Sequence, residues 1–164
     1  MLLYLLRHGI AEDHGSRAGD AERELTEEGK EKTRAALNAV KKMKFFPPEL
    51  VLSSPLIRAR QTAELAVEVF AKDAELDFSD ALVPMAELTD TMALVVKWSK
   101  KVSRMMLVGH EPHLSAFGSA LLGSTTPVIE MKKAAIAKFE LTRLDVPRMR
   151  GQLVALFPPK IGSI

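Results

Sequence analysis

Short apolar runs punctuate this chain, and most of them stop abruptly on polar residues. Leu2-Leu3-Tyr4-Leu5-Leu6 is unbroken, too short for a helix and right for a strand buried on both faces of a parallel sheet. It stops in Arg7-His8-Gly9 and gives way to a polar loop, Ile10 to Glu24, long enough to read as an active-site loop. Thr26 then stands as an N-cap, with Glu27 and Glu28 favourably placed against the helix dipole. Ala36, Leu37, Val40 and Met43 recur at helical spacing, which predicts a helix over Glu27 to Lys44 that Phe45-Phe46-Pro47-Pro48 stops. Leu50-Val51-Leu52 is a second strand, ending in Ser53-Ser54-Pro55. The helix after it lines up Ala59, Ala63, Ala66, Val67 and Phe70 on one face. Pro55 suits its first turn, which puts Arg58 near the N-terminus and Arg60 on a different side.

The pattern then repeats. A weak strand at Leu76 to Phe78 precedes an irregular stretch, Ser79 to Thr89, that contains Pro84 and Glu87. Asp90 is read as the cap of a helix burying Leu94, Val95 and Trp98 and ending near Lys101. Met105-Met106-Leu107-Val108 is a further buried strand, and it stops in Gly109-His110. Pro112 opens a helix with Leu114, Phe117 and Leu121 inward, closed by Gly123. Ala135 to Leu141 instead alternates apolar with charged residues, and Gln152 to Phe157 is a second extended run. With Val146-Pro147 and Gly151 between them, these predict an antiparallel edge hairpin, followed by a loosely held tail from Pro158 to Ile164. The whole reads as one domain over residues 1 to 164: a three-layer αβα sandwich, mainly parallel, with an antiparallel edge.

Composition narrows the chemistry. The 164 residues contain no cysteine, which removes disulfides, thiolate metal sites and cysteine nucleophiles together. The formal charge of +2 comes from interleaved basic and acidic residues and argues weakly for nucleic acid or an anionic membrane as partner. The first apolar run is cut by Arg7 and has no basic segment before it, so it is read neither as a signal peptide nor as a membrane span, and the expected location is cytoplasmic.

Three strands in strand-helix order end in Arg7-His8, in Ser54-Pro55 followed by Arg58, and in Gly109-His110. In a parallel sheet these ends share one edge, where open α/β folds form their ligand crevices. A single Arg-His pair reads as the start of a solvated loop; three strands ending alike read as an anion site. The planar fork of arginine matches phosphoryl oxygens. Cations beside His8 disfavour its protonation, and a neutral imidazole is a competent nucleophile toward phosphorus. His113 invites a metal reading, but Pro112 disrupts the helical spacing to His110 and no third ligand stands out. His14 and Arg17 in the first loop are candidates for substrate contact that read more simply as solvated, and Lys132 and Lys133 are candidates for the pocket rim that as strand-flanking charges need no function.

Arg7-His8-Gly9, the segment Ser54-Pro55-Leu56-Ile57-Arg58-Ala59-Arg60-Gln61-Thr62-Ala63, and Gly109-His110-Glu111-Pro112 resemble the histidine phosphatase superfamily, also called the phosphoglycerate-mutase-like family. Leu25-Thr26 with Gly29 extends the resemblance, and the chain length with Lys132-Lys133-Ala134-Ala135 is similar to its short, SixA-type phosphohistidine phosphatase branch. The resemblance implies that His8 accepts the phosphoryl group, that Arg7, Arg58, His110 and Ser54 hold the substrate, and that His110 also stabilises the transition state. It implies Glu87 as the proton donor, and neither metal nor other cofactor. Ile10 and Ala11 follow Gly9 where the mutases have polar phosphate contacts, which speaks against mutase chemistry. The expected substrate is a phosphorylated protein, such as a histidine-phosphorylated phosphocarrier domain. The alternatives are a phosphatase of small phosphorylated metabolites and a non-catalytic phosphoprotein-binding module.

Overall fold

The structure is a computed structural model that describes residues 1–13 and 19–159. Among the described residues ten strands and α-helices follow in order: β1 (Leu2–Arg7), α1 (Glu27–Lys42), β2 (Leu50–Ser53), α2 (Ile57–Val69), β3 (Glu75–Phe78), α3 (Leu88–Ser99), β4 (Arg104–Gly109), α4 (His113–Leu121), β5 (Ile136–Arg143) and β6 (Arg150–Phe157). Among the described residues the strands form one sheet in the order β3-β2-β4-β1-β5-β6. The first four strands run parallel; β5 joins β1 antiparallel, and β6 completes the edge hairpin.

The period-2 alternation of a strand explains the three layers. Leu3, Leu5, Leu50, Leu52, Met105 and Leu107 face one side, where Val95 of α3 and Leu114, Phe117 and Leu121 of α4 cover them. Tyr4, Leu6, Val51, Met106 and Val108 face the other, against Leu37 and Val40 of α1 and Ala59, Ala63 and Ala66 of α2. All these strand side chains are wholly buried, which is why the runs carry no polar residue until they end. Burying each large one is worth about 1.5–3 kcal/mol relative to exposure.

Several boundaries differ from the sequence reading. The Thr26 hydroxyl does cap α1, accepting from Gly29 N–H at 3.0 Å, but the helix ends at Lys42. Pro55 precedes α2 rather than opening it, because the Ser54 hydroxyl accepts from Leu56 N–H at 3.3 Å and the helix begins only after that turn. Glu87, not Asp90, is the N-cap residue of α3. The earlier start buries Thr91, whose hydroxyl donates to Ala81 O at 2.8 Å, and seats Met92 and Val95 in the core. Trp98 is only half-buried, with Lys97 and Lys101 over its ring, whereas Met105 and Met106 are core residues as expected. Gly123 takes a φ of +86° just past α4, a conformation that suits glycine. Among the described residues no helix is long and apolar enough to cross a membrane. Lys160 to Ile164 of the tail lie outside the described residues.

Candidate active site

Strand register assembles the site. Arg7 pairs with Gly109, so His8 and His110 follow side by side, and the His8 N–H donates to Gly109 O at 3.0 Å. Ser53 pairs with Val108, which brings Ser54 to the same edge. Arg58 leaves α2 in its first turn and is 3% exposed, while Arg60 faces out over the Phe78 ring. Arg7, His8, Arg58 and His110 thus line one cavity of about 380 Å³ at the carboxyl edge of the sheet.

The loop between β1 and α1 is held against this edge by close packing. Gly9 N–H donates to the Thr62 hydroxyl at 3.1 Å, that hydroxyl donates to Arg58 O at 2.7 Å, and Leu25 N–H donates to the Gln61 side chain at 2.7 Å. Ala11 pairs with Leu25, and Gly29 sits so close to Ile10 that a Cβ there would lie 2.0 Å from the Ile10 carbonyl oxygen. Residues Gln61, Thr62 and Gly29 therefore keep the loop in place from behind.

The protonation of the two imidazoles follows from their partners. His8 Nδ1 lies 2.7 Å from Gly9 O; a carbonyl only accepts, so Nδ1 carries the hydrogen and Nε2 keeps its lone pair. Burial, more than the nearby cations Arg58, Arg7 and Lys133, pushes the His8 pKa down to about 3, against the opposite pull of the Gly9 bond. Among the described residues His8 Nε2 has no hydrogen-bond partner, and His8 lines the cavity, so a neutral imidazole nitrogen is left with its lone pair unclaimed there. His110 lies with its ring centroid 5.0 Å from that of His8, and burial first, then the His8 and Arg58 charges, push its pKa down to about 3 as well. Its Nε2 is 2.8 Å from the Ser54 hydroxyl. That hydroxyl accepts from Leu56 N–H, and donating its own hydrogen to Nε2 uses both of its capacities and puts the ring hydrogen of His110 on Nδ1.

Among the described residues, three buried side-chain nitrogens lack a hydrogen-bond partner: Arg7 Nε, Arg58 Nε and His110 Nδ1. A buried donor left unpaired costs about 1–3 kcal/mol, so three on the walls of one cavity mark a place built to receive oxygen atoms. Each guanidinium is also anchored by its terminal nitrogens, Arg7 by one and Arg58 by both. Arg7 Nη1 donates to Met131 O at 2.8 Å, and Arg58 donates through Nη1 to Asp20 O at 2.6 Å and through Nη2 to Asp20 Oδ2 at 3.1 Å. Burial lowers both arginine pKa values from their ordinary level, yet a guanidinium stays charged at neutral pH.

Other expected residues fall elsewhere. Ser54 sits behind His110 and is not part of the cavity lining. Glu87 is exposed at the start of α3 and also stands outside that lining, where Pro84 is the nearest contribution from its segment. Lys133 reaches the cavity; Lys132 lines a separate groove with Leu153 and Leu156. His113 Nε2 lies 2.8 Å from the Thr91 hydroxyl, joining α4 to α3. His14 and Arg17 lie outside the described residues. Sequence reasoning missed Asp20, Arg23, the Met131 carbonyl and Ala134. Ala134, buried at a φ of +63°, donates its N–H to both Arg7 O and His8 O and so pins the end of β1. The spacing of Asp20 and Arg23, three residues apart within a polar loop, was the one available signal for that pair.

Comparison with known proteins gives a consistent picture. Residues 3–83 match the model of the histidine phosphatase superfamily (branch 1). An uncharacterized protein of Picosynechococcus sp. is 34% identical over 138 residues, covering 83% of this chain and 82% of that protein. The solved structure of the protein histidine phosphatase SixA complexed with tungstate superposes with a TM-score of 0.83 at 24% identity, over 97% of both chains. A mycobacterial glucosyl-3-phosphoglycerate phosphatase superposes with a TM-score of 0.68 at 20% identity, over 93% of this chain and 96% of that one.

Proposed function

The chain belongs to the histidine phosphatase superfamily, and from that premise we propose that it hydrolyses protein phosphohistidine through a covalent phosphohistidine intermediate on His8. The observation that carries this reading is the trio of buried, unpartnered nitrogens, Arg7 Nε, Arg58 Nε and His110 Nδ1, in residues that line one cavity together with His8. These donors hold the phosphoryl oxygens and stabilise charge as it spreads over them.

The proton balance favours phosphohistidine over an alkyl phosphate. Phosphohistidine protonated on its other ring nitrogen meets the neutral His8; the bond from Nε2 to phosphorus forms as the substrate's nitrogen–phosphorus bond breaks. The substrate imidazole departs neutral, and the phosphorylated His8 ring is left cationic with its hydrogen still on Nδ1, held by Gly9 O. No further proton moves. Water then attacks phosphorus, the electron pair returns to Nε2, and the products are dihydrogen phosphate and neutral His8. An alkoxide leaving group would instead need a proton at its oxygen. Imidazole, with a conjugate-acid pKa of about 6.5, does not. That Glu87 stands outside the cavity lining agrees with a substrate that needs no donor there.

The test is a brief reaction with a histidine-phosphorylated phosphocarrier protein, quenched in alkali. Phosphate bound at His8, stable in alkali and lost in acid, is expected in the wild type and not in His8→Asn. Turnover of sugar phosphates with none of phosphohistidine would assign the chain to small phosphomonoesters. Retained binding of the phosphoprotein with no turnover by the wild type would make it a reader.

A further inference from the structure

We propose that Asp20 is a positioning residue for Arg58: clasped by Arg23, it fixes which edge of the Arg58 guanidinium meets the phosphoryl group. The proposal rests on the phosphotransfer reading above and assigns it a part played by no residue of the three matched motifs.

A guanidinium offers two forks, a terminal one between Nη1 and Nη2 and a lateral one that includes Nε. Asp20 occupies the terminal fork of Arg58 with two different acceptors, its backbone carbonyl on Nη1 and its carboxylate Oδ2 on Nη2. What remains for a ligand is the lateral edge, Nε–H with the second hydrogen of the neighbouring terminal nitrogen, and Nε is buried without a partner in a residue that lines the cavity. Asp20 cannot swing away freely. Its Oδ1 is gripped by Arg23, through Nε at 2.9 Å and Nη2 at 2.8 Å, and Arg23 is itself 7% exposed and donates from Nη1 to Glu12 O at 2.7 Å. One carboxylate thus links the loop after β1, the turn at Asp20–Glu22 and the first turn of α2. Although burial pulls in the other direction, Arg58 and Arg23 hold the Asp20 carboxyl below the usual carboxylate range, so it stays ionised and is a poor proton donor at neutral pH.

A carboxylate beside an anion site has two opposed effects. It orients Arg58, and it repels the phosphoryl group. Removing its charge therefore leaves ground-state anion affinity nearly unchanged while the lost orientation slows transfer. A competitor for Arg58 would behave otherwise: its removal would tighten phosphate binding and spare the rate. A purely structural brace would lose affinity and rate together.

The experiment compares wild type, Asp20→Asn and Arg23→Lys in single-turnover phosphorylation of His8 and in binding of inorganic phosphate by calorimetry. For Asp20→Asn the expected result is transfer about a hundredfold slower, as for a catalytic group misplaced by about 1 Å, with the phosphate Kd within about threefold of wild type. Arg23→Lys keeps the charge but cannot grip Oδ1 with a fork, and is expected to show the same split at smaller size; it serves as the readout if Asp20→Asn does not fold. Unchanged transfer in both variants, tightened phosphate binding with transfer spared, or affinity and rate falling by equal factors would each overturn the proposal while phosphate still traps on wild-type His8. A wild type that never traps phosphate overturns the parent reading and this one with it.

Discussion

Acid should destabilise this protein through its two paired imidazoles, and by an amount that can be worked out. His8 has a folded pKa of about 3, set mainly by burial, against about 6.5 for an unfolded histidine. Between those values the unfolded chain binds a proton that the native state refuses, so the stability is fully present above about pH 6.5 and drains away as pH falls toward 3. At about pH 4.5 the population ratio gives a loss of about 3 kcal/mol from His8 alone, and His110, whose pKa is pushed down to about 3 as well, adds to it. Carboxylates contribute their own acid dependence, so the informative quantity is a difference. His8→Asn keeps a donor for Gly9 O but cannot take up a proton. Urea unfolding followed by the fluorescence of Trp98, the one tryptophan of the chain, at about pH 7 and pH 4.5 should show the wild type losing about 2–3 kcal/mol more than the variant. A difference below about 0.5 kcal/mol would mean that folded His8 protonates easily, and the neutral nucleophile would be refuted.

Three further substitutions test the scaffold around the site. Gly29→Ala would place a methyl group 2.0 Å from the Ile10 carbonyl oxygen, so the urea midpoint should drop by the equivalent of about 2–3 kcal/mol and phosphotransfer should slow as the loop moves. Thr62→Val removes the hydroxyl between Gly9 N–H and Arg58 O; the stranded Gly9 donor should cost about 1–3 kcal/mol by the same unfolding assay. Ser54→Ala frees the His110 ring to take the wrong tautomer, and the loss of about 1–2 kcal/mol of orientation should appear as a fall of about tenfold in kcat with KM little changed.

What was legible in the sequence was whatever period and strand ends could encode. Leu2 to Leu6 and Met105 to Val108 lack polar interruptions because helices cover both faces of the sheet. Parallel pairing then forces Arg7-His8 and Gly109-His110 onto one edge without any knowledge of the loops. The backbone anchors of the arginines were not legible, since the carbonyls of Met131 and Asp20 have no sequence signature. Asp90 misled because capping preference is a local effect of about 1 kcal/mol. Seating Met92 and Val95 and satisfying the Thr91 hydroxyl outweigh it, so α3 starts three residues earlier than that cap would have it. Glu87 was placed by its order in the chain, yet the irregular segment before α3 carries Pro84 to the cavity and leaves the glutamate in solvent.

These observations together separate two tasks that a cationic pocket would otherwise confuse. Arginines beside a histidine already discourage its protonation, but burial is the larger cause for His8, ahead of the Arg58, Arg7 and Lys133 charges. On the proposed reading the nucleophile is therefore kept neutral by its depth in the fold, which leaves the arginines to bind the substrate. A dianion entering between them reverses part of the electrostatic effect and raises the affinity of the His110 ring for a proton, since opposite charges favour the charged form. In the proposed mechanism His110 would strengthen its Nδ1–H donation as negative charge gathers on the phosphoryl oxygens, whereas His8 would engage phosphorus through Nε2 and keep its one hydrogen on Gly9 O. Two rings with the same resting pKa are thereby suited to opposite work, and what distinguishes them is only which nitrogen the backbone of Gly9 and the hydroxyl of Ser54 have claimed.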